Sequence, residues 1–409
     1  MKILLTLAIN SLLGRKISVI LTLICLTLSI TLFLSIDNFR GGAKKSFFSN
    51  SQAGDLILAA KSGEIQTILY VLFQIGTPSS NIRWDSYQKI KNRNDVEWAI
   101  PISLGDSHRQ FRVLGTTGEY FKKVKFKNKK FTFFKGKIFE NTFDVVIGND
   151  VAKKLNYSLG KKLIISHGIS SQSPHTEFPF KVTGILNKTG TPADKLIFVS
   201  LEALEAIHKN WKAGIRLPNY KPKNLKKDNL IPKEITAAVI KLKSKIEIFQ
   251  FQREINGYKN EPLQAIIPGL AISKLWQVIS FVENILLIIS LMVLITSMIG
   301  MSAILYSNIH LRKNEMSLLR IVGASPKIIY ILLIFESLII TFLSILFSII
   351  IFQILNLIMN PILDLHYGVF IEYKFLSMNN LIFFVFVILL SILISLFPGY
   401  KAFKSSIIK

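Results

Sequence analysis

The sequence predicts an α-helical membrane protein with four transmembrane helices and a large extracytoplasmic α/β domain inserted between helices 1 and 2. Half of the 409 residues are hydrophobic, and the mean hydropathy is +0.42. Four stretches contain at least the ~20 mainly apolar residues that a membrane-spanning helix needs. A polar segment of more than 200 residues separates the first stretch from the second, and it is long enough to form a domain with its own core.

The charge and cysteine counts exclude several other classes. The chain carries 50 Lys and Arg against 25 Asp and Glu, for a net charge of +25, but its 30 Phe residues exclude a disordered polycation. A single cysteine, Cys25, excludes a disulfide framework and a zinc ribbon. We expect no nucleic-acid partner, although a basic domain that binds anionic lipid headgroups stays possible.

The N-terminal region predicts two helices. Residues 1–16 form an interfacial amphipathic helix with Lys2, Thr6 and Asn10 on one face. Residues 17–37 form the first span, and no small-residue cleavage site follows it, so we interpret it as an anchor and not as a signal peptide.

Residues 38–272 predict a two-lobed α/β domain on the outer side of the membrane. Asp55–Ala60 is the first strand, and Ser200 is the expected N-cap of a helix that extends to Trp211. The stretch Ile65–Ile75 is apolar around most of its circumference and too short to span a bilayer. We favour a buried helix for it over a surface that contacts lipid or a partner.

The C-terminal third predicts three further spans. The second span is longer than a bilayer requires, so it either protrudes as a stalk or tilts with a kink near Gly300. The predicted segments are 273–308 (second span with stalk), 309–327 (cytoplasmic loop helix), 328–358 (third span), 359–378 (short periplasmic loop), 379–398 (fourth span) and 399–409 (cytoplasmic tail).

The distribution of positive charge predicts the orientation. Short loops on the cytoplasmic side are enriched in Lys and Arg, whereas long loops translocate largely regardless of charge. We therefore place both termini and the 309–327 loop in the cytoplasm and the large domain on the other side of the membrane. The residues that support this are Lys2, Arg15, Lys16, Arg312, Lys313, Arg320, Lys327, Lys401, Lys404 and Lys409.

Two carboxylates fall inside predicted spans. A charge at the centre of a bilayer costs ~2.5–3.5 kcal/mol on insertion scales, so Glu336 and Glu283 should face protein or water. Glu283 is close to the outer interface. For Glu336 we favour a structural pairing over a proton relay, because no second buried carboxylate or histidine accompanies it.

The sequence contains no convincing catalytic constellation. The run Gly41–Ser46 has the composition of a phosphate-binding loop but the wrong spacing, so we expect no enzyme activity and no cofactor on this chain, and any ATP and Mg²⁺ would be held by another chain. His167, His175 and His208 lie in one lobe with Glu177 nearby, but their spacing matches no metal motif. We therefore expect no metal site and name these three histidines as the candidates for one.

The loop between the second and third spans is the most informative segment. The pattern Arg312, Glu315, Leu319-Arg320, Gly323-Ala324-Ser325 resembles the signature of the FtsX/MacB/LolC-type ABC transporter permeases. The order of helices and domain also resembles that family, as do Pro398-x-x-x-Ala402 and DLILAAKSG (55–63), which is similar to the start of the two-lobed outer domain of MacB-like permeases.

The resemblance implies a MacB-like permease without a fused ATPase domain. The loop would be a coupling helix that receives motion from separate ABC ATPase subunits, and the long second and third spans would act as levers on the outer domain. The residues implied to contact the ATPase are Arg312, Lys313, Glu315, Met316, Leu319, Arg320, Gly323, Ala324, Ser325 and Pro326.

The implied partners and role leave two functions open. Besides the ATPase, the partners would be a second permease copy or a paralogue, membrane lipid, and a periplasmic adaptor or substrate-binding protein. The first function is export or extraction of a lipoprotein or lipid, a peptide or a drug. The alternative is an FtsX-like signalling scaffold that activates a periplasmic cell-wall hydrolase.

Overall fold

The computed structural model describes residues 2–50, 53–125, 129–168, 174–209, 211–212, 215–216, 230–311, 321, 325–367 and 377–407. The chain divides into two compact units. The helical unit comprises Met1–Gly42, Ile279–Ile362 and Ile371–Lys409, and the α/β unit comprises Ala43–Val278 and Leu363–Phe370.

Five long or terminal helices contribute to the helical unit. They are α1 (Lys2–Leu13), α2 (Lys16–Asn50), α9 (Pro268–Leu311), α10 (Pro326–Tyr367) and α11 (Met378–Ile407). Among the described residues, four stretches are long and apolar enough to cross a membrane: Lys16–Gly42, Pro268–Ser307, Tyr330–Leu363 and Met378–Tyr400. The four predicted spans are confirmed, and each helix is longer than its predicted span.

The spans pack through a shared apolar core with polar contacts. Phe33 of α2 stacks on Phe383 of α11, with 3.7 Å between ring centroids. Hydroxyl pairs join neighbouring helices: Ser29 with Ser297 at 2.6 Å, and Thr341 with Ser391 at 2.7 Å. Because lipid offers no hydrogen-bond partners, these hydroxyls must be satisfied inside the helical unit.

The described part of the α/β unit contains six helices and fifteen strands. The helices are α3 (Glu64–Leu72), α4 (Trp84–Lys91), α5 (Glu119–Lys123), α6 (Asn149–Leu155), α7 (Leu201–His208) and α8 (Ile248–Asn256). The strands are β1 (Leu56–Ala60), β2 (Ile82–Arg83), β3 (Val96–His108), β4 (Phe111–Thr116), β5 (Phe133–Gly136), β6 (Asp144–Ile147), β7 (Lys162–Leu163), β8 (Ser166–His167), β9 (Phe180–Leu186), β10 (Leu196–Ser200), β11 (Trp211–Lys212), β12 (Ile215–Arg216), β13 (Glu234–Ile235), β14 (Ala237–Leu242) and β15 (Leu263–Ile266).

Eleven of these strands form one mixed sheet. Its order is β15-β1-β14-β3-β4-β10-β6-β9-β5, with β7 paired to β9 and β8 paired to β3. The two lobes meet at the long strand β3, whose first half pairs with β14 and whose second half pairs with β4. A register shift between Leu104 and Ser107 leaves one extra residue on β3 relative to β4, which is a β-bulge.

Side-chain alternation along the strands builds a core on each face of the sheet. In β1, Ile57 and Ala59 point to one face and Leu56 and Leu58 to the other, so the whole strand is buried. The apolar core on the face of Ile57 and Ala59 continues beneath both lobes. On the opposite face, α4 and α8 cover the first lobe, and α6 and α7 cover the second.

Several local predictions are confirmed. The apolar stretch at Ile65–Ile75 forms α3, with Ile68, Tyr70, Val71 and Leu72 buried in the first core, as the buried-helix interpretation expects. Ser200 is the N-cap of α7, and its hydroxyl accepts a hydrogen bond from the Ala203 amide at 3.1 Å. The helix ends at His208, three residues before the predicted end at Trp211.

Two glycine N-caps provide a matched test of packing. Gly148 caps α6 and Gly63 caps α3, both with extended backbone and negative φ. A Cβ on Gly148 would lie 2.5 Å from the Ala193 carbonyl oxygen, whereas a Cβ on Gly63 would meet nothing closer than 3.7 Å. We expect Gly148→Ala to lower the free energy of unfolding by ~1–3 kcal/mol, as overpacking does, and Gly63→Ala to change it by less than ~0.5 kcal/mol.

The measurement is denaturant unfolding of the full chain in detergent, followed by tryptophan fluorescence. Trp84, Trp98, Trp211 and Trp276 are the four tryptophans of the sequence, and all belong to the α/β unit. Equal stability of the two variants would contradict the proposed close contact at Gly148.

Candidate functional site

The buried carboxylate Glu336 joins two helices of the helical unit. Its side chain is fully buried, Ser11 Oγ donates a hydrogen bond to its Oε1, and the Arg15 guanidinium lies 3.5 Å from its Oε2. Arg15 also donates to Ser11 Oγ at 2.6 Å. The negative charge is therefore compensated by the segment that connects α1 to α2, and α1 is held against α10.

Glu283 of α9 forms a similar pair with Arg40, near the other end of the first apolar stretch at Lys16–Gly42. Its Oε2 lies 3.3 Å from Nε of Arg40, and the glutamate is 7% exposed. Arg15 and Arg40 are 25 residues apart, which corresponds to ~37 Å of helix at 1.5 Å per residue. This exceeds the ~30 Å hydrocarbon core, so both ion pairs can lie near the edges of the bilayer, where a charge costs less.

A small apolar cluster lies beside the Glu336 pair. Leu12 of α1 packs with Met301 and Leu305 of α9 and with Ile340 of α10. We call these four residues the inner cluster. The helix that enters the predicted coupling segment and the helix that leaves it therefore both pack on α1.

Most of the predicted ATPase-coupling residues lie outside the described residues. Ser325 accepts a hydrogen bond from the Ile328 amide at 2.9 Å, and Pro326 is the first residue of α10. The predicted coupling residues that lie outside the described residues are Arg312, Lys313, Glu315, Met316, Leu319, Arg320, Gly323 and Ala324. Their role in coupling stays a prediction.

In the second lobe of the α/β unit the fold brings the three candidate histidines together with Asp106. One possible ligand atom from each of Asp106, His167, His175 and His208 lies within 4.8 Å of all the others. His167 Nδ1 is 3.2 Å from His208 Nε2 and 3.2 Å from Asp106 Oδ1, and His208 Nε2 is 3.4 Å from the same carboxylate oxygen. We call these four residues the histidine cluster.

Four separate elements position the cluster. Asp106 and His167 are directly opposite each other in the antiparallel β3–β8 pairing, which places both side chains on one face. His175 follows the isolated β-bridge between Ser166 and Pro174. Its backbone amide donates a hydrogen bond to the Ile165 carbonyl oxygen at 2.9 Å. His208 ends α7, and α7 approaches the sheet closely because Gly115 of β4 leaves room for Leu204.

The cluster combines a buried carboxylate with partly exposed rings. Asp106 and His175 are buried, whereas the side chains of His167 and His208 are 44% and 32% exposed. Burial alone would raise the pKa of Asp106, but hydrogen bonds from His167 and His208 outweigh it and lower the pKa to about 2. The hydrogen bond to Asp106 raises the pKa of His167.

Sequence reasoning missed the partners that complete these sites. The carboxylate of the histidine cluster is Asp106, while the sequence neighbour Glu177 is exposed and lies outside the cluster. Arg15 is visible in the sequence as a basic residue that precedes a span. Its pairing with Glu336, 321 positions later in the chain, has no signal in the sequence. Asp106 carried none, because the β3–β8 register alone brings it to His167.

These features define a multi-pass membrane protein with an α/β domain inserted after its first span, and comparison with known proteins agrees. A family model described as the MacB-like periplasmic core domain matches residues 19–258, and one described as the FtsX-like permease C-terminal matches residues 287–407. The chain belongs to the FtsX/MacB-type ABC transporter permeases.

Two solved structures are similar to part of the chain. One is the extracellular domain of the noncanonic ABC-type transporter YknZ from Gram-positive bacteria, with 17% identity, a TM-score of 0.31, and coverage of 52% of this chain and 98% of that one. The other is the periplasmic region of MacB from Actinobacillus actinomycetemcomitans, with 10% identity, a TM-score of 0.34, and coverage of 56% and 94%. No curated protein matches the chain.

The Arg15–Glu336 pair generates a prediction about stability. Removing one partner of a buried pair leaves an uncompensated charge and costs ~3–5 kcal/mol, whereas replacing both partners is often nearly neutral. We expect Arg15→Gln to be less stable than the double variant Arg15→Gln, Glu336→Gln. The measurement is the fraction of detergent-purified chain that stays monodisperse by size-exclusion chromatography after heating.

The Arg40–Glu283 pair is the matched control. Arg40 is 40% exposed, so the same changes there should have a smaller effect. A double variant at positions 15 and 336 that loses as much stability as the two single variants together would argue against a direct pairing.

Proposed function

We propose that this chain is the permease subunit of an ABC transporter of the MacB/LolC type in the bacterial inner membrane. A separate ATPase subunit would bind segment 309–327 from the cytoplasm and drive a change in the α/β domain on the opposite side. That change would export or extract a lipoprotein or lipid, a peptide or a drug. The membership of the chain in the permease family supports this proposal.

The observation that carries the mechanism is the arrangement around α1. The inner cluster packs α1 on both helices that flank segment 309–327, and the Arg15–Ser11–Glu336 contacts attach α1 to α10. Glu336 is ten residues after Pro326, or ~15 Å along the helix. A push on the segment would therefore act on α1, α9 and α10 together, because their packed side chains resist independent movement.

The proposal also gives a role to α1, which we place at the cytoplasmic surface of the membrane. Leu5, Ile9 and Leu13 of α1 are exposed in the helical unit, while Ala8 and Leu12 are buried. An exposed apolar face beside a buried one suits a helix at the membrane surface, with lipid on one side and protein on the other. Such a helix would hold the inner ends of α9 and α10 at the cytoplasmic interface during the ATPase cycle.

Co-purification tests the proposal. We expect the tagged chain to isolate a separate ATP-hydrolysing subunit from detergent-solubilised membranes. Glu315→Lys should remove that subunit or abolish its stimulation, because it reverses a charge in the proposed contact. Glu64→Lys is the control, since Glu64 is an exposed carboxylate of the α/β unit that pairs with Lys274 at 2.7 Å.

Three outcomes decide between the possible functions. An assembly without any nucleotide hydrolase, or a Glu315→Lys variant with full stimulated hydrolysis, would contradict the coupling proposal. A cell-wall hydrolase in the assembly, in place of a transported molecule, would support the FtsX-like signalling role. Retention of the ATPase by Glu64→Lys would show that the loss is specific to the segment at 309–327.

A further inference from the structure

We propose that Asp106, His167, His175 and His208 form a Zn²⁺ site in the second lobe of the α/β domain. The site is independent of the ATPase coupling described above. Nothing in the permease role requires it, and it depends only on the geometry and chemistry of the histidine cluster.

The spacing of the ligand atoms matches a tetrahedral metal ion. A tetrahedral ion with bonds of ~2.0–2.1 Å holds its ligand atoms ~3.3–3.4 Å apart. His167 Nδ1, His208 Nε2 and Asp106 Oδ1 form a nearly equilateral triangle with sides of 3.2, 3.2 and 3.4 Å. One ring nitrogen of His175 lies within 4.8 Å of a possible ligand atom of each of the other three residues, so a small shift of the His175 side chain would complete the tetrahedron.

The orientation of the rings also suits a common centre. The plane of His208 makes angles of 86° with His167 and 78° with His175, at centroid distances of 5.2 and 5.4 Å. His167 and His175 are likewise nearly perpendicular, at 88°. These nearly perpendicular ring planes allow the three imidazoles to approach one ion from different directions, which parallel stacked rings would not.

The donor set selects the metal. Imidazole nitrogen is a good ligand for Zn²⁺, Cu²⁺ and Ni²⁺, whereas Ca²⁺ and Mg²⁺ prefer oxygen ligands. No sulfur belongs to the cluster, which disfavours Cu⁺. Square-planar geometry suits Cu²⁺ and Ni²⁺, and the triangle of ligand atoms here is the face of a tetrahedron, so Zn²⁺ is the best match.

A route to the site exists. A cavity of about 330 Å³ adjoins the cluster and is lined by residues that include Gly105, Asp106, Arg112 and Gly168. The partial exposure of His167 and His208 opens the other side. An ion can therefore reach the buried carboxylate without unfolding of the domain.

A bound ion would cross-link distant parts of the chain. The ligands come from β3, β8, the segment before β9 and the end of α7, and they span 102 positions from Asp106 to His208. Closing a long loop with a metal removes conformational freedom from the unfolded chain. The ion would thus link β3, β8 and the end of α7 within the second lobe.

The first experiment measures zinc in the full-length chain. The protein is purified in detergent with a tag that contains no histidine, loaded with ZnCl₂, dialysed and analysed by elemental mass spectrometry. We expect one zinc per chain and a higher unfolding midpoint of the tryptophan signal, which EDTA should reverse. Substitution by Co²⁺ should give the intense visible absorption of a tetrahedral site, and a weak six-coordinate spectrum would overturn the proposal.

The second experiment removes ligands at the exposed positions. His167→Ala and His208→Ala replace partly exposed side chains and should leave the domain folded, and each should weaken Zn²⁺ binding by more than ~10-fold, since even outer-shell changes have effects of this size. His108→Gln is the matched control, because His108 lies in the same lobe but bonds to Ile164 O and Tyr157 Oη. Zinc retained equally by the double variant His167→Ala, His208→Ala would overturn the proposal.

Discussion

The strongest constraint on the helical unit is the cost of placing charge and polar groups among apolar helices. Two glutamates stand in mainly apolar stretches, and each is matched by an arginine at one end of the first span. The same constraint explains the hydroxyl pairs at Ser29–Ser297 and Thr341–Ser391. The pairing fixes which helices are neighbours, since a different arrangement would leave a carboxylate in hydrocarbon. The Arg15–Glu336 pair also determines where α1 packs, and α1 in turn contacts both helices that flank the proposed ATPase-binding segment.

In the α/β unit the corresponding constraint is a shared strand. β3 belongs to both lobes, so its register with β14 and with β4 must hold at once. The continuous apolar face beneath both lobes depends on this register, because a slip of one residue would turn every side chain to the other face. The aromatic side chains Tyr120, Phe121, Phe131 and Phe198 fill that face under the second lobe. Stacked and edge-to-face rings of this kind pack efficiently and add stabilisation beyond their buried area.

Much of the architecture could be predicted from sequence because its signals are averages over many residues. A span is defined by about twenty apolar positions, so all four were found. Their ends were not, because the last third of α2, at residues 38–50, contains two glycines and several polar residues without a helical period. Short elements such as α5 and α6 have five and seven residues, which are too few for a periodic signal. They form because their buried side chains pack against the sheet.

Sites were harder to predict than elements for a related reason. The histidines were visible as a group of three, but their spacing along the chain conveys nothing about distance in space, and their carboxylate partner is 61 positions before His167. Glu336 was identified as a paired group, yet its partner could not be named from hydropathy. Interactions between residues that are distant in sequence are decided by register and helix packing, and these become known only from the three-dimensional structure.

The β-bulge of β3 has a consequence for how this domain diversifies. The extra residue between Leu104 and Ser107 sets which side chain of the strand faces β8, and here that side chain is Asp106. Deleting one residue at the bulge would restore regular pairing and present a different side chain at the same point. Relatives with the same sheet could therefore gain or lose an acidic group at this position through a single codon insertion or deletion at the bulge.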